Sequence, residues 1–88
     1  MNKVEIYSHP GCGYCHQAKG LLKARGIEYQ ELDVAQDRQL LSQMVQRTGG
    51  RTLPQIIIND QVVGGFDDLR LLDQRKQLDT LLNHQSIQ

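Results

Sequence analysis

Two cysteines lie three positions apart near the start of the chain, in the segment Gly-Cys-Gly-Tyr-Cys-His at residues 11–16. This spelling matches three kinds of chemistry: the attachment signature of a c-type haem, one half of a zinc site, and a dithiol redox centre. Two thiols that only fill space in a core are a fourth interpretation, because buried free cysteine is common. The ligands and backbone elements around Cys12 and Cys15 are needed to choose among the four.

The two metal interpretations lack ligands. A haem iron needs a second axial ligand and a chain that wraps a large flat cofactor, whereas this motif lies in a compact pattern of strands and helices without an export signal before it. Zinc prefers four ligands, commonly from two separated pairs. The four candidate ligands here fall close together without a second pair: His9, Cys12, Cys15 and His16. We therefore expect neither haem nor zinc at the motif.

The local sequence places the cysteines where a strand meets a helix. Residues 4–8 alternate in polarity and end at the turn His9-Pro10-Gly11, which predicts a strand and a turn. From Gly13 the apolar period becomes helical and should end at Gly26. The predicted apolar face of this helix carries Cys15, Ala18, Leu21 and Leu22.

This location favours the dithiol interpretation. Cys12 directly precedes the helix, where free backbone N–H groups and the positive end of the helix dipole favour a thiolate. Cys15 lies one turn further on, on the apolar face. Gly13 has no side chain to block an approaching disulfide. We predict an exposed nucleophile at Cys12 and a sheltered resolving thiol at Cys15.

The rest of the chain predicts an α/β fold with the element order βαβαββαα. The further elements are a strand over 27–34, a helix over 40–48 closed by Gly49-Gly50, strands over 55–58 and 61–63 joined by Asn59-Asp60, a third helix capped by Asp67 or Asp68, and a short helix over 78–82 before a polar tail. The short crossover makes the first two strands parallel, whereas the hairpin is antiparallel. We predict one domain over residues 1–88, a four-stranded mixed sheet with helices on both faces.

Charge and hydropathy exclude several partners. Ten basic residues balance ten acidic ones and are interspersed with them, so no field attracts nucleic acid or an anionic membrane. No apolar run approaches the roughly 20 residues of a membrane helix. With no export signal, we expect a cytoplasmic protein, and in a reducing compartment two close cysteines are reactive more often than structural.

From Val4 to about Leu82 the chain resembles a glutaredoxin of the dithiol class. Three motifs in order carry this resemblance: Cys12-Gly13-Tyr14-Cys15 after the first strand, Thr52-Leu53-Pro54 before the third, and Gly64-Gly65-Phe66-Asp67-Asp68 after the fourth. The resemblance implies a thioredoxin-like fold with strand order 2-1-3-4. It also implies a glutathione-dependent oxidoreductase that reduces protein-glutathione mixed disulfides and protein disulfides, and that acts as a monomer.

The resemblance also implies a glutathione site. Its expected residues are Tyr14, Arg47, Thr52, Leu53, Pro54, Gly65, Phe66, Asp67 and Asp68, with Cys12 and Cys15 as the catalytic pair. In this family the bond before Pro54 is cis, so the Leu53 backbone can pair with the cysteine of glutathione. The helix start after Gly65 and the two aspartates suit the carboxylate and ammonium of the γ-glutamyl end. Arg47 could pair with the glycine carboxylate or with the end of its own helix.

The chain departs from the family pattern at two positions. His9 stands where many relatives carry a lysine that helps to hold a glutathione carboxylate, so that contact would depend on pH here. Gly13 stands where the commonest dithiol relatives have proline. Members with a small residue there sometimes bind a [2Fe-2S] cluster between two subunits, with one cysteine and one glutathione from each. Cys12 would be that ligand, and a cluster-bridged dimer acting as a carrier or sensor is the alternative function.

Overall fold

The computed structural model describes residues 2–82 of the chain. Its elements, in chain order, are β1 (Val4–Ser8), α1 (Gly13–Ala24), β2 (Gln30–Asp33), α2 (Arg38–Thr48), β3 (Gln55–Ile58), β4 (Gln61–Gly64), α3 (Phe66–Gln74) and α4 (Leu78–Leu82). The predicted order βαβαββαα is confirmed. The predicted polar tail after Leu82 lies outside the described residues.

The four strands form one mixed sheet in the order β2-β1-β3-β4. β1 pairs with β2 in parallel. It pairs with β3 antiparallel, and β3 pairs with β4 antiparallel. The turn between β3 and β4 uses Asn59 and Asp60 at φ of 50° and 67°, the left-handed region that these residues tolerate better than most. The predicted strand order and the predicted hairpin are therefore both confirmed.

Alternating side chains of β1 serve the two faces of the sheet. On one face Val4 and Ile6 pack in the larger core, together with residues of α1, α3 and α4. On the other face Tyr7 packs with Met44 of α2 and with Ile57 of β3 in a smaller core. β1 is buried along its whole length, so its end is a rigid base for the cysteine loop that follows it.

Two predicted boundaries are wrong, and hydrogen bonds explain both. The second strand covers residues 30–33 rather than 27–34, because the Ile27 N–H donates to the carbonyl of Leu22 and completes the turn after α1. The N-cap of α3 is Gly65, not Asp67 or Asp68. Asp68 instead occupies the third helical position, where its carboxylate reaches back to accept from the Gly65 N–H at 3.0 Å.

Helix α2 begins after the N-cap Asp37, which was not predicted from the sequence. The side chain of Asp37 accepts from the Gln39 N–H at 2.9 Å and so stabilises the first turn. Gly49 ends the helix in the left-handed region at φ 75°, as predicted. Across residues 2–82, no helix has both the length and the apolar character that crossing a membrane requires.

Candidate active site

Cys12 is the N-cap of α1. Its backbone is extended, and its Sγ accepts a hydrogen bond from the Cys15 N–H at 3.1 Å. A thiolate at an N-cap replaces the side-chain oxygen that usually satisfies a free N–H of the first turn. The side chain is partly exposed. The thiol predicted at the helix start is therefore present, although it is partly and not fully exposed, and the Cys15 N–H is a donor to its sulfur.

Cys15 has the opposite surroundings. It is fully buried, at 0% exposure, on the same face of α1 as Ala18 and Leu22. Burial, followed by its hydrogen bond with Cys12, raises the pKa of Cys15 to about 12. The predicted difference between an accessible thiol and a sheltered one is confirmed by these positions, and both cysteines are free thiols in this structure.

The bond between Leu53 and Pro54 brings a second element to Cys12. This bond is cis, as predicted. The carbonyl oxygen of Leu53 lies 3.7 Å from Sγ of Cys12, which can donate to it as a thiol. Pro54 directly precedes β3, where its missing N–H costs no ladder bond. The backbone at residues 53 and 54 thus forms one edge of the thiol site.

A cleft of about 520 Å³ opens beside this edge. Its lining contains eight of the residues predicted to bind glutathione and two further ones: Tyr14, Thr52, Leu53, Pro54, Gln55, Gly64, Gly65, Phe66, Asp67 and Asp68. Gln55 was not predicted to line the cleft; its side-chain amide donates to the Thr52 carbonyl at 3.0 Å. Its position directly after Pro54 in the sequence could have indicated it. The three motifs that are far apart in sequence therefore meet at one cleft.

The start of α3 forms the far wall of the cleft. A Cβ added at Gly65 would lie 3.7 Å from the Pro54 carbonyl oxygen, so the two backbones are close. Gly64 has φ of 113°, and a side chain there would collide with Asp68. The first N–H groups of α3 and the carboxylates of Asp67 and Asp68 thus lie side by side. This wall offers donors to an anion and acceptors to a cation.

Two aromatic rings cover the wall between the cysteine loop and α3. The rings of Tyr14 and Phe66 stack with centroids 6.2 Å apart and planes at 27°. Tyr14 is 61% exposed despite this contact. The guanidinium of Arg70 lies 5.9 Å from the centre of the Phe66 ring. An apolar and partly exposed surface therefore joins the cysteine loop to the start of α3.

Among the nine residues predicted to bind glutathione, Arg47 is the one that does not line this cleft. Its guanidinium donates to both carboxylate oxygens of Glu5, at 2.8 and 3.0 Å, and to the hydroxyl of Tyr7 at 2.9 Å. Tyr7 in turn donates to the side chain of Gln43. Arg47 lies in the last turn of α2, as the predicted role at its own helix end requires, and its ion pair with Glu5 is an additional contact that was not predicted. Its pairing with the glycine carboxylate of glutathione stays a prediction.

The histidines near the cysteines have local partners. His9 Nδ1 accepts from the Gly11 N–H at 2.9 Å, and His16 Nε2 lies 2.9 Å from the Pro10 carbonyl oxygen. Both histidines are exposed. Among residues 2–82, no three histidine, cysteine or acidic side chains are grouped so that they could hold a metal ion.

Comparison with known proteins identifies relatives along most of the chain. The sequence model of the family described as Glutaredoxin matches residues 4–63. Glutaredoxin 3 of Escherichia coli is 46% identical over 82 residues, which are 93% of this chain and 99% of that protein. The structure also resembles two solved ones. The buckwheat glutaredoxin-glutathione complex has a TM-score of 0.85 at 28% identity and covers 94% of this chain and 78% of that one. A dithiolic glutaredoxin from Trypanosoma brucei brucei has a TM-score of 0.82 at 37% identity, covering 92% and 87%.

Proposed function

This chain belongs to the glutaredoxin family of thiol-disulfide oxidoreductases, and we propose that it uses glutathione to reduce protein-glutathione mixed disulfides and protein disulfides. The observation that carries this proposal is the position of Cys12. Its Sγ is partly exposed, accepts from the Cys15 N–H and lies beside the cis bond at Leu53-Pro54. These features supply an accessible sulfur at a helix start, next to backbone that a peptide can pair with.

In the first step the Cys12 thiolate attacks the glutathione sulfur of a mixed disulfide. A bond forms between Cys12 and glutathione, the bond to the target sulfur breaks, and the target leaves as a thiolate that takes a proton. A second glutathione then attacks the sulfur of the bound one. This releases oxidised glutathione and restores the Cys12 thiolate. In the net reaction one added glutathione and the mixed disulfide give the target thiol and oxidised glutathione.

With a protein disulfide the second cysteine takes part. Cys12 first forms a mixed disulfide with the target, and Cys15 then attacks Sγ of Cys12 and releases the target as a dithiol. The Cys15 N–H already donates to Sγ of Cys12 at 3.1 Å, so the two residues are adjacent. The dithiolic relative from Trypanosoma brucei brucei supports this two-cysteine route by its name and its fold.

Glutathione would lie along the cleft. Its cysteine would pair with the Leu53 backbone, between Thr52 and Pro54, and its γ-glutamyl end would reach Gly65 at the start of α3. There the free N–H groups, including that of Phe66, suit the carboxylate, while Asp67 and Asp68 suit the ammonium. The rings of Tyr14 and Phe66 would flank the sulfur. The glutathione named in the buckwheat complex, a protein of the same fold, supports this ligand.

Serine variants of the two cysteines test the proposal. Glutathione-dependent reduction of a small glutathione mixed disulfide is measured with Cys12→Ser and with Cys15→Ser, which differ from the native chain by one atom each. We expect the first variant to lose activity and the second to retain it, because only Cys12 carries glutathione. Activity that persists in Cys12→Ser, or that requires Cys15, would overturn the assignment.

A second candidate is a carrier of a [2Fe-2S] cluster as cargo. Gly13 favours it, because members of the family with a small residue at this position sometimes bind such a cluster, and the space beside Gly13 is free of other atoms within 4 Å of a Cβ position. One chain offers only the thiolate of Cys12, and a second copy and two glutathione molecules would complete the ligands. The cluster would serve as the delivered group and not as a catalyst.

Anaerobic reconstitution with iron, sulfide and glutathione tests the second candidate. A brown dimer on a sizing column that becomes a colourless monomer in Cys12→Ser supports a cluster held by Cys12. The matched control is Cys15→Ser, which leaves the proposed ligand in place. A colourless monomer from the native chain contradicts the carrier function without affecting the thiol activity.

A further inference from the structure

A buried amide side chain lies at the base of the loop that borders the cleft. Gln55 is the first residue of β3, opposite Tyr7 of β1, and it is only 6% exposed. The loop before it joins α2 to β3 and contains the exposed residues Arg51 and Thr52. Buried polar side chains are normally hydrogen-bonded, so the partner of Gln55 indicates what this side chain holds in place.

The partner of Gln55 is the same loop. Its Nε2 donates to the carbonyl oxygen of Thr52 at 3.0 Å and to the Thr52 hydroxyl at 3.4 Å. Leu53 directly follows Thr52, and its carbonyl oxygen lies 3.7 Å from Sγ of Cys12. One buried side chain therefore fixes the backbone that borders the exposed thiol.

Gly50 shows that this amide fills a space that no other side chain can share. A Cβ added at Gly50 would lie 2.5 Å from Nε2 and 3.0 Å from Cδ of Gln55, closer than non-bonded atoms approach. Gly50 does not have a positive φ, so glycine is required here for space and not for its backbone conformation. The Gly50 N–H donates to the Thr48 hydroxyl at 3.0 Å, which fixes the other end of the loop.

We propose that Gln55 is a positioning residue for glutathione: its amide holds the backbone of Thr52 and Leu53 in the form with which the cysteine of glutathione pairs. This inference rests on the proposed function of the cleft. A loop that is fixed before the ligand arrives loses less conformational freedom on binding, which favours the bound complex. Gln55 acts through Thr52, so it affects the binding of the peptide and not the reactivity of the Cys12 sulfur.

Two disulfides separate peptide binding from sulfur reactivity. Oxidised glutathione carries the peptide that pairs with Leu53, whereas bis(2-hydroxyethyl) disulfide has no peptide group. With either one, the Cys12 thiolate attacks one sulfur, a new disulfide bond forms, the original one breaks, and the released thiolate takes up a proton. The ratio of the two rates measures the contribution of peptide binding. A loss of folded protein lowers both rates together and cancels in this ratio.

Two single variants and their combination test the amide. Gln55→Ala removes it, whereas Gly50→Ala displaces it from Thr52 and leaves Gln55 in the chain. We expect each single variant to lower the ratio of the glutathione rate to the peptide-free rate about fivefold, an effect in the range of one hydrogen bond. The double variant should show the same loss and not the product of two losses, because both substitutions act on one amide.

Single-turnover experiments with intact mass as the readout measure the ratio. Every protein carries Cys15→Ser, so the adduct on Cys12 cannot close to an internal disulfide. Each reduced protein is mixed with an excess of one disulfide, acid stops the reaction, and the fraction of adduct over time gives the rate. The matched control is Gly20→Ala, at an exposed position of α1 where a Cβ would meet no atom within 4 Å. It should keep the parent ratio.

The outcomes separate this inference from the proposed function. If the parent Cys15→Ser protein forms no adduct with oxidised glutathione, the proposed function fails. If the parent forms the adduct but Gln55→Ala and Gly50→Ala keep the parent ratio, because neither rate changes or both fall equally, the positioning role of Gln55 is wrong. Losses that multiply in the double variant would also contradict an action through one amide.

Discussion

The two faces of the sheet each carry an ion pair beside β1, and the pairs have different surroundings. Under α2, Arg47 holds Glu5, whose side chain is 8% exposed, and also contacts buried Tyr7. Under α1, Lys19 holds Glu31, whose side chain is 40% exposed. We call the first pair the closed pair, because its carboxylate is buried and it lies on the face covered by α2. The second pair has an exposed carboxylate, and its Lys19 lies on α1, the helix that begins at the two cysteines.

The contrast follows from the alternation of β1. Tyr7 and Ser8 are successive residues, so their side chains point to opposite faces of the sheet. Tyr7 joins the network of Arg47, and Ser8 joins that of Lys19. One residue along the strand thus separates a network that stabilises the fold from one that faces the reactive helix. The role of an arginine or lysine near the sheet therefore depends on its ion-pair partner and on the sheet face that it lies on.

The largest expected effect is on the closed pair. Arg47→Met should lower the free energy of unfolding by about 3 kcal/mol, near the lower end for a broken buried pair because Arg47 is partly exposed. The cause is the carboxylate of Glu5, which would remain buried without its cation. Urea unfolding measures the loss. Arg38→Met, at an exposed position of the same helix, should change it by less than about 0.5 kcal/mol.

Acid titration should sharpen the same contrast. Hydrogen bonds from Arg47 lower the pKa of Glu5 from its ordinary value of 4.5, against the opposing effect of burial. A lowered pKa in the folded state means that the pair stabilises the fold above pH 4.5 and that this contribution is lost as pH falls through the lowered value.

Unfolding of the native chain and of Glu5→Gln at a series of acid pH values measures this loss. Below pH 4.5 the native chain should lose stability more steeply than the variant, which lacks the titrating carboxyl. Glu31 and Asp73 also have lowered pKa values, but they remain in both proteins and so cancel in the difference. If the free energy of unfolding fell equally steeply with pH in both proteins, the Arg47–Glu5 pair would not stabilise the fold as described.

A smaller effect is expected at the start of α3. Asp68→Ala removes the carboxylate that accepts from the Gly65 N–H and should cost about 1 kcal/mol of unfolding free energy. Asp67→Ala is the matched control. Its side chain is 83% exposed, with a long contact of 3.6 Å to Arg70, so its cost should stay below about 0.5 kcal/mol. Equal costs for the two would show that the reach of Asp68 to Gly65 contributes no stability.

The smallest effect on stability is expected at the second ion pair. Lys19→Gln should lower the free energy of unfolding by less than about 1 kcal/mol, because the partner carboxylate is well solvated. Urea unfolding of Lys19→Gln and Arg47→Met under the same conditions compares the stability that the two ion pairs contribute. A loss as large as that of Arg47→Met would make Lys19 a structural residue and remove the contrast.

Features set by local sequence were predictable. The cysteines at the start of a helix, the turn at Asn59-Asp60 and the left-handed Gly49 depend on neighbours within a few residues, and each is confirmed. The cis bond before Pro54 is confirmed as well, although it came from the family resemblance and not from propensity. Together these features sufficed for the element order and the position of the thiols.

Features set by contacts between distant residues were not predictable. The ion pair of Arg47 with Glu5 joins residues 42 positions apart and depends on how α2 lies across β1, so the sequence did not predict it. The link from Lys19 to Glu31 similarly needs the register of β2 against β1. The boundary of α3 failed for a different reason. An acidic residue suits both the cap and the third helical position, and only the backbone distinguishes them.

The central claim is that Cys12 alone carries glutathione, and intact mass tests it most directly. Reduced Cys15→Ser and Cys12→Ser proteins are each incubated with oxidised glutathione and weighed without further treatment. The account predicts one glutathione adduct on Cys15→Ser, removed by excess reduced glutathione, and none on Cys12→Ser, whose remaining thiol is buried with a pKa raised to about 12. An adduct on Cys12→Ser, or none on Cys15→Ser, would contradict it.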